Sequence, residues 1–110
     1  MLFFIKAMDR PGSGLRQTWR AAHLEFVTTC RERFTYGGPL IDEAGAVVGS
    51  VMVLDLPDRA ALDAHMAKDP YFREPVFETV EIFQTRQIVP ETVPGSLEAE
   101  LEKQRASQTA

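Results

Sequence analysis

The sequence has little of several residue types whose presence would define a class of protein. Its 110 residues include one cysteine, one tryptophan and two histidines. Because Cys30 has no partner within the chain, an internal disulfide is excluded, which is typical of a cytoplasmic protein. No apolar run approaches the roughly 20 residues of a membrane span. The first residues, Met1 to Lys6, lack the basic segment and cleavage site of a signal peptide. We therefore expect a cytoplasmic protein that does not bind membranes.

Charge and spacing exclude further classes of ligand. The formal net charge is -4, and without a basic face we expect no nucleic-acid partner. No set of histidine, cysteine and acidic residues has the spacing of metal ligands, so we expect no metal. The glycines at Gly37 and Gly38 do not form a phosphate loop, because no helix begins directly after them. We expect no cofactor.

The most informative stretch that is present is the segment 46–56, which is rich in β-branched residues and has no proline. It predicts a β-strand. One face of that strand would carry Val47, Gly49, Val51, Val53 and Asp55, and the other Val48, Ser50, Met52, Leu54 and Leu56. Since neither face is polar, the strand is expected at the centre of a sheet that is covered on both sides.

The remaining elements are predicted from periodicity, turn residues and caps. Residues 2–8, 34–41 and 76–89 read as strands, the second an irregular edge strand. Residues 15–33 read as a helix with an apolar stripe at Leu15, Trp19, Ala22, Phe26 and Cys30. A second helix, 59–68, begins after Asp58, and a short helix restarts with Asp69 as its cap and Pro70 at its first position.

This order, βαββαβ, predicts a ferredoxin-like α+β fold, in which a four-stranded antiparallel sheet carries both helices on one face. We expect the domain to span residues 1–90. Residues 91–110 would form a C-terminal tail with a short helix, 97–105, begun by Ser96. Two helices cover only one face of the sheet, and a large exposed apolar patch is unusual in a monomer. We therefore expect a homodimer with the sheets face to face, the alternative being that the tail covers the second face.

Three polar residues, His23, Ser50 and Asp69, fall in apolar or turn settings. His23 could act as a general base, since imidazole titrates near neutral pH. Asp69 could accept a hydrogen bond from that ring and fix its tautomer. Both residues also have a structural interpretation, His23 as a helix-border residue and Asp69 as a helix cap.

Several other side chains have one functional and one structural interpretation each. Arg20 could bind an anionic group of a substrate or be a solvated helix arginine. Tyr71 and Tyr36 could donate a phenol hydrogen bond or be partly buried aromatics. We interpret His65 as a packing residue, and Cys30 as a core residue because nothing basic near it in sequence would lower its pKa.

Four short motifs together resemble the YciI-like (YCII-related) family over roughly residues 1–90. They are Arg20-Ala21-Ala22-His23-Leu24, Gly38-Pro39, Gly49-Ser50 and Lys68-Asp69-Pro70-Tyr71. The resemblance implies a dimeric α+β barrel with a pocket between sheet and helices in each subunit. It also implies a histidine–aspartate active site at His23 and Asp69, with Ser50 beside it.

Three functions remain open at this point. The first is a cofactor-free enzyme in which the His23–Asp69 pair moves a proton on a small cyclic or aromatic molecule, by isomerisation or elimination, with Ser50 holding a substrate oxygen. Oxygen insertion without a cofactor is a further reaction that the resemblance to dimeric α+β barrel proteins implies. The second is a non-catalytic dimer that binds a small ligand with the same residues. The third is a structural subunit whose charged tail binds another protein.

Overall fold

The computed structural model describes residues 1–109, and its four strands form one antiparallel sheet. The strands are β1 (Leu2–Asp9), β2 (Phe34–Ile41), β3 (Val47–Asp55) and β4 (Phe77–Thr85), and they lie in the order β2-β3-β1-β4. The apolar strand β3 is therefore central and the proline-containing β2 is at an edge, as predicted. Strand β4 ends at Thr85 rather than at residue 89. The ferredoxin-like α+β fold is confirmed.

In the described part of the chain, four helices accompany the sheet: α1 (Leu15–Thr28), α2 (Arg59–Lys68), α3 (Pro70–Arg73) and α4 (Ser96–Thr109). Helix α2 begins where Asp58 Oδ1 accepts a hydrogen bond of 2.8 Å from the amide of Ala61, which is the predicted cap. Helix α3 packs against both α1 and α2. Within residues 1–109, no helix is both long and apolar enough to cross a membrane.

Helix α1 is shorter than predicted, because it ends at Thr28 and not at Arg33. The hydroxyls of Thr28 and Thr29 donate hydrogen bonds of 2.6 Å to main-chain carbonyl oxygens three residues earlier. Such side-chain bonds compete with the helical ladder. A 3₁₀ turn, Arg31–Arg33, then leads into β2. Cys30 is buried as expected, but it lies in the connection and not on the helical stripe.

The core lies between the helices and one face of the sheet. On that face Phe3 is opposite Leu54, Ile5 is opposite Met52, and Ala7 is opposite Ser50. All six residues are buried, and Leu62 of α2 packs in one cluster with the first four of them. Because successive side chains of a strand point to opposite faces, this register places Ser50 on the helix side and Gly49 on the other.

The second face of the sheet is uncovered in the single chain, and it is mostly apolar apart from Lys6 and Glu81, which lie in the same cross-strand row as Val51. It carries Phe4, Val51 and Val53, flanked by Tyr36 and Phe83, of which the last two are 56% and 55% exposed. None of the residues described for α4 is buried. The alternative in which the tail shields this face is therefore wrong for the single chain.

Buried in α2 is His65, which is 1% exposed. Its ring contacts the edges of Phe26 and Phe34, and its Nδ1 lies 3.2 Å from Arg33 Nη1. Within the described chain its Nε2 has no hydrogen-bond partner. Burial lowers the pKa of His65 below the usual 6.5, although the carboxylate of Asp69 opposes this effect. The packing interpretation of His65 agrees with these contacts.

The first prediction concerns Gly49, where a Cβ would collide with the carbonyl oxygen of Ala7 on the neighbouring strand. We expect Gly49→Ala to lower the free energy of unfolding by about 1–3 kcal/mol, the usual range for overpacking. Urea denaturation measures this loss. The control is Val47→Ala, on the same strand and face but 44% exposed, for which we expect a change of about 0.5 kcal/mol or less. Equal effects of the two changes would contradict the prediction.

A second prediction follows from the buried His65. The unfolded chain takes up a proton on this histidine at a higher pH than the folded chain, because its pKa is lowered by folding. The free energy of unfolding should therefore fall as the pH drops below about 6.5. In His65→Gln, which keeps a hydrogen-bond acceptor for Arg33, this part of the fall should disappear. Parallel pH–stability curves for the two proteins would contradict it.

Candidate functional site

A cavity of about 320 Å³ lies between α1 and the helix-facing side of the sheet. Helix α1 stands off the sheet here, and of its residues, all of which the structure describes, none is fully buried. The cavity is lined by Arg16, Arg20, His23, Leu24, Val27, Arg31, Phe34, Gly37, Gly38, Pro39, Ser50, Met52 and Tyr71. It therefore has an apolar interior with a small number of polar groups, which is typical of small-molecule sites.

His23 and Asp69 are brought together at this cavity from positions 46 residues apart. His23 Nδ1 lies 2.8 Å from Asp69 Oδ1. The His23 side chain is 12% exposed and that of Asp69 is fully buried. An ionised carboxylate can only accept a hydrogen bond, so it holds the proton of the neutral ring on Nδ1 and leaves the lone pair on Nε2.

Asp69 is held in position because it also caps the first turn of α3. The same Oδ1 atom accepts a hydrogen bond of 2.9 Å from the amide of Tyr71. Within residues 1–109, Oδ2 has no hydrogen-bond partner. The structural and the functional interpretation of Asp69 are therefore compatible, since the same oxygen atom caps α3 and contacts His23.

The ring of Tyr71 fixes the plane of the histidine ring. The two rings are stacked, with centroids 3.8 Å apart and planes 3° from parallel. Tyr71 is 1% exposed, and its hydroxyl lies 3.4 Å from the carbonyl oxygen of Arg16. This geometry makes Tyr71 a support for His23, while its predicted contact with a substrate stays a prediction.

Ser50 lies at the cavity within a second set of polar contacts, built on Arg16. The Arg16 guanidinium donates two hydrogen bonds to the carboxylate of Asp9, at 2.8 and 2.9 Å. Its Nη2 also donates to Ser50 Oγ at 2.8 Å. Although burial would lower the pKa of Arg16, the hydrogen bond and charge of Asp9 outweigh it, and the pKa is raised. Arg16 is therefore a fixed positive charge.

The remaining predicted residues divide between the cavity and the surface. Arg20 lines the cavity and is exposed, as is Arg31 beyond the end of α1. Within the described chain neither of them forms an ion pair with a carboxylate. Tyr36 lies on the opposite face of the sheet. The thiol of Cys30 is buried, and burial raises its pKa, which disfavours the reactive thiolate.

Sequence reasoning missed Arg16, which lies outside the predicted apolar stripe of α1. The signal that could have identified it is the spacing of Arg16, Arg20 and His23 at i, i+4 and i+7, which places them on one helical face. That face, continued by Val27, faces the cavity, next to the apolar stripe that includes Trp19. Helix α1 therefore has one face that lines the cavity and an adjacent face that packs in the core.

Within residues 1–109, no group of three or more histidine, cysteine and acidic side chains is placed to hold a metal ion. The polar side chains that line the cavity are one histidine, which pairs with a carboxylate, one serine, one tyrosine and three arginines. Such a set can exchange a proton and bind an anion or a carbonyl oxygen.

Two solved structures illustrate what this fold resembles. The first is the 5-chloro-2-hydroxyhydroquinone dehydrochlorinase of Burkholderia phenoliruptrix, in complex with 2,5-dihydroxybenzoquinone. It is 24% identical to this chain with a TM-score of 0.72, over 79% of this chain and 95% of that one. The second is SnoaB, a cofactor-independent oxygenase from Streptomyces nogalater, which is 15% identical with a TM-score of 0.50, over 82% and 96% of the two chains. At these identities the likeness is one of fold.

The comparison with curated protein sequences gives no significant match. A family match, in contrast, covers most of the chain. Residues 1–86 match the YCII-related domain, and this span includes the sheet, helices α1 to α3 and every residue that lines the cavity. The chain belongs to the YCII-related domain family.

Proposed function

We propose that the protein is a cofactor-free enzyme that uses His23 and Asp69 to transfer a proton on a small cyclic or aromatic molecule. The observation that carries this proposal is the 2.8 Å contact between His23 Nδ1 and the buried Asp69 Oδ1, at the wall of an apolar cavity. A ring held in this way keeps Nε2 free for the substrate. Perturbed or paired titratable groups in a cleft are common at catalytic sites.

The reaction would begin when His23 Nε2 removes a proton from a carbon next to a carbonyl or from a hydroxyl of the ring. The negative charge that results lies on an oxygen, which Ser50 holds. The imidazolium then returns the proton to another carbon, which completes an isomerisation. On a halogenated hydroxylated ring this proton goes to the carbon that bears the halogen, and when Nε2 removes a second hydroxyl proton the electron pair expels halide, which is elimination. Asp69 stabilises the imidazolium between the two steps.

The size of the effect limits the substrate. One positioned base contributes about 10²- to 10⁴-fold to a rate. The group that loses the proton must therefore be acidic already, as it is next to a carbonyl or on a hydroxylated aromatic ring. The volume of about 320 Å³ suits one small ring rather than a polymer.

A third prediction tests the catalytic roles. The first substrate to try is 5-chloro-2-hydroxyhydroquinone, after which the Burkholderia dehydrochlorinase is named. Release of chloride measures the reaction. We expect His23→Gln to lower kcat by about 10²- to 10⁴-fold. Asp69→Asn should also lower kcat, because the amide can still cap α3 but cannot offset the positive charge of the imidazolium. Binding of 2,5-dihydroxybenzoquinone should change little in either variant.

The control is His65→Gln, which alters the other histidine of the chain, outside the cavity lining, and should keep wild-type kcat at neutral pH. If His23→Gln keeps full activity, the proposed base is wrong. A screen of cyclic ketones and phenols tests for turnover more widely. If the wild type binds the quinone but converts no compound of the screen, the protein is a ligand-binding module instead. In that case His23→Gln should weaken binding.

We infer that two copies of the chain pair through the open faces of their sheets. The exposed apolar side chains of that face, which include Phe83 and Tyr36, support this arrangement. A second copy presents the same apolar surface, so a two-fold axis covers both faces at once. The cavity lies on the opposite side of the sheet and would stay open in such a dimer.

A fourth prediction tests this pairing. The wild-type chain should have twice its 12.3 kDa mass in light scattering after size exclusion. Val53→Asp places a charge in the apolar row that Tyr36, Phe4 and Phe83 form across the open face, and it should yield monomer or aggregate, because an unpaired buried charge is costly. The matched control Ala21→Asp lies on the exposed surface of α1 and should remain dimeric. A monomeric wild type would contradict the pairing.

A further inference from the structure

We propose that Arg16 and Asp9 set the direction of the Ser50 hydroxyl, so that it donates a hydrogen bond into the cavity to an oxygen of the substrate. Arg16 is then a positioning residue, since it acts through Ser50. The substrate class follows from that donor: compounds whose reacting group ends in a carbonyl, phenolate or enolate oxygen. The assignment deepens the proposed function and rests on it for the reaction, but not for the binding of the oxygen.

The direction of the Ser50 hydroxyl follows from which groups can donate. A guanidinium has five N–H donors and no acceptor. The contact of 2.8 Å between Arg16 Nη2 and Ser50 Oγ therefore uses a lone pair of the serine, and the hydroxyl hydrogen is left for another partner. Within residues 1–109 no acceptor bonds that hydrogen. Since Ser50 is 5% exposed and lines the cavity, a bound molecule is the partner it can reach.

Arg16 itself is held from several sides. The carboxylate of Asp9 accepts two parallel hydrogen bonds from it, a fork geometry that fixes the plane of the guanidinium. Its carbon Cζ lies 5.1 Å from the ring centre of Tyr71 and 5.8 Å from that of Phe77. The Arg16 side chain is 16% exposed. It is therefore an ordered cation rather than a flexible surface arginine.

The two polar walls of the cavity are complementary. On one wall the His23–Asp69 pair takes a proton, and on the other the charged Arg16 polarises the Ser50 hydroxyl. Negative charge that develops on a substrate oxygen is stabilised by a donor already in place. Although Ser50 Oγ keeps a second lone pair, the positive charge of Arg16 disfavours a cationic donor there. The site at Ser50 therefore favours an oxygen acceptor over an ammonium group.

The test uses 4-nitrophenol, whose phenolate form absorbs visible light and whose phenol form does not. A pH titration of the bound ligand gives the preference of the site for the phenolate. We expect wild-type protein to bind the phenolate more tightly than the phenol. Ser50→Ala should reduce that preference about tenfold, the effect of one hydrogen bond to a charged group.

The variant that separates positioning from charge is Arg16→Lys. Lysine keeps the positive charge but cannot form the fork with Asp9 and reach Ser50 together. We expect Arg16→Lys to reduce the phenolate preference as far as Ser50→Ala does, and the double variant to reduce it no further. The charge control is Arg31→Gln, which removes a cavity-lining arginine that has no contact with Ser50 and should affect the preference less.

Two results would overturn the proposal. In the first, the wild type does not bind nitrophenolate in preference to nitrophenol. In the second, Arg16→Lys behaves as wild type whatever Ser50→Ala does. The same titrations in the His23→Gln background need no turnover. The role of the Ser50 hydroxyl is therefore tested separately from catalysis. It can be confirmed even if the protein has no enzymatic activity, and it can be disproved even if the protein is an enzyme.

Discussion

The buried carboxylate of Asp69 is the interaction on which the site depends. Its Oδ1 accepts hydrogen bonds from the Tyr71 amide and from His23, and so joins the start of α3 to the middle of α1. A buried carboxylate is costly unless it is hydrogen-bonded. The chain meets that requirement at Oδ1 with the two groups that define the site: the amide fixes the carboxylate, and the carboxylate then fixes the imidazole. The tyrosine that supplies the amide also stacks on the histidine ring.

Most of the fold could be predicted because each element carries its own local signal. The β-branched run around Val51 predicted a central strand, Asp58 predicted the start of α2, and Pro70 predicted the restart at α3. The end of α1 could not be predicted from periodicity, because Cys30 continues the apolar spacing. It is set by the hydroxyls of Thr28 and Thr29, which bond to main-chain carbonyl oxygens.

The site could be predicted only in part, for a related reason. His23 and Asp69 stand out as polar residues in apolar or turn positions, and the family motifs include both. Arg16 does not stand out, since an arginine on an amphipathic helix normally faces solvent. Its position depends on Asp9, at the end of β1, and on the gap between α1 and the sheet. Neither is visible in the spacing of one helix, because both are set by tertiary packing.

Gly49 and Ser50 explain how strand β3 contributes to both the cavity and the open face of the sheet. The lack of a side chain at Gly49 lets the backbone of β1 approach β3, with Met8 opposite Gly49 and Ala7 opposite Ser50. This register directs the serine hydroxyl to the cavity, and Val51 and Val53 to the open face. A slip of one residue would exchange the two faces and move the hydroxyl away from Arg16. The close approach at Gly49 thus fixes both the surface available for pairing and the polar wall of the cavity.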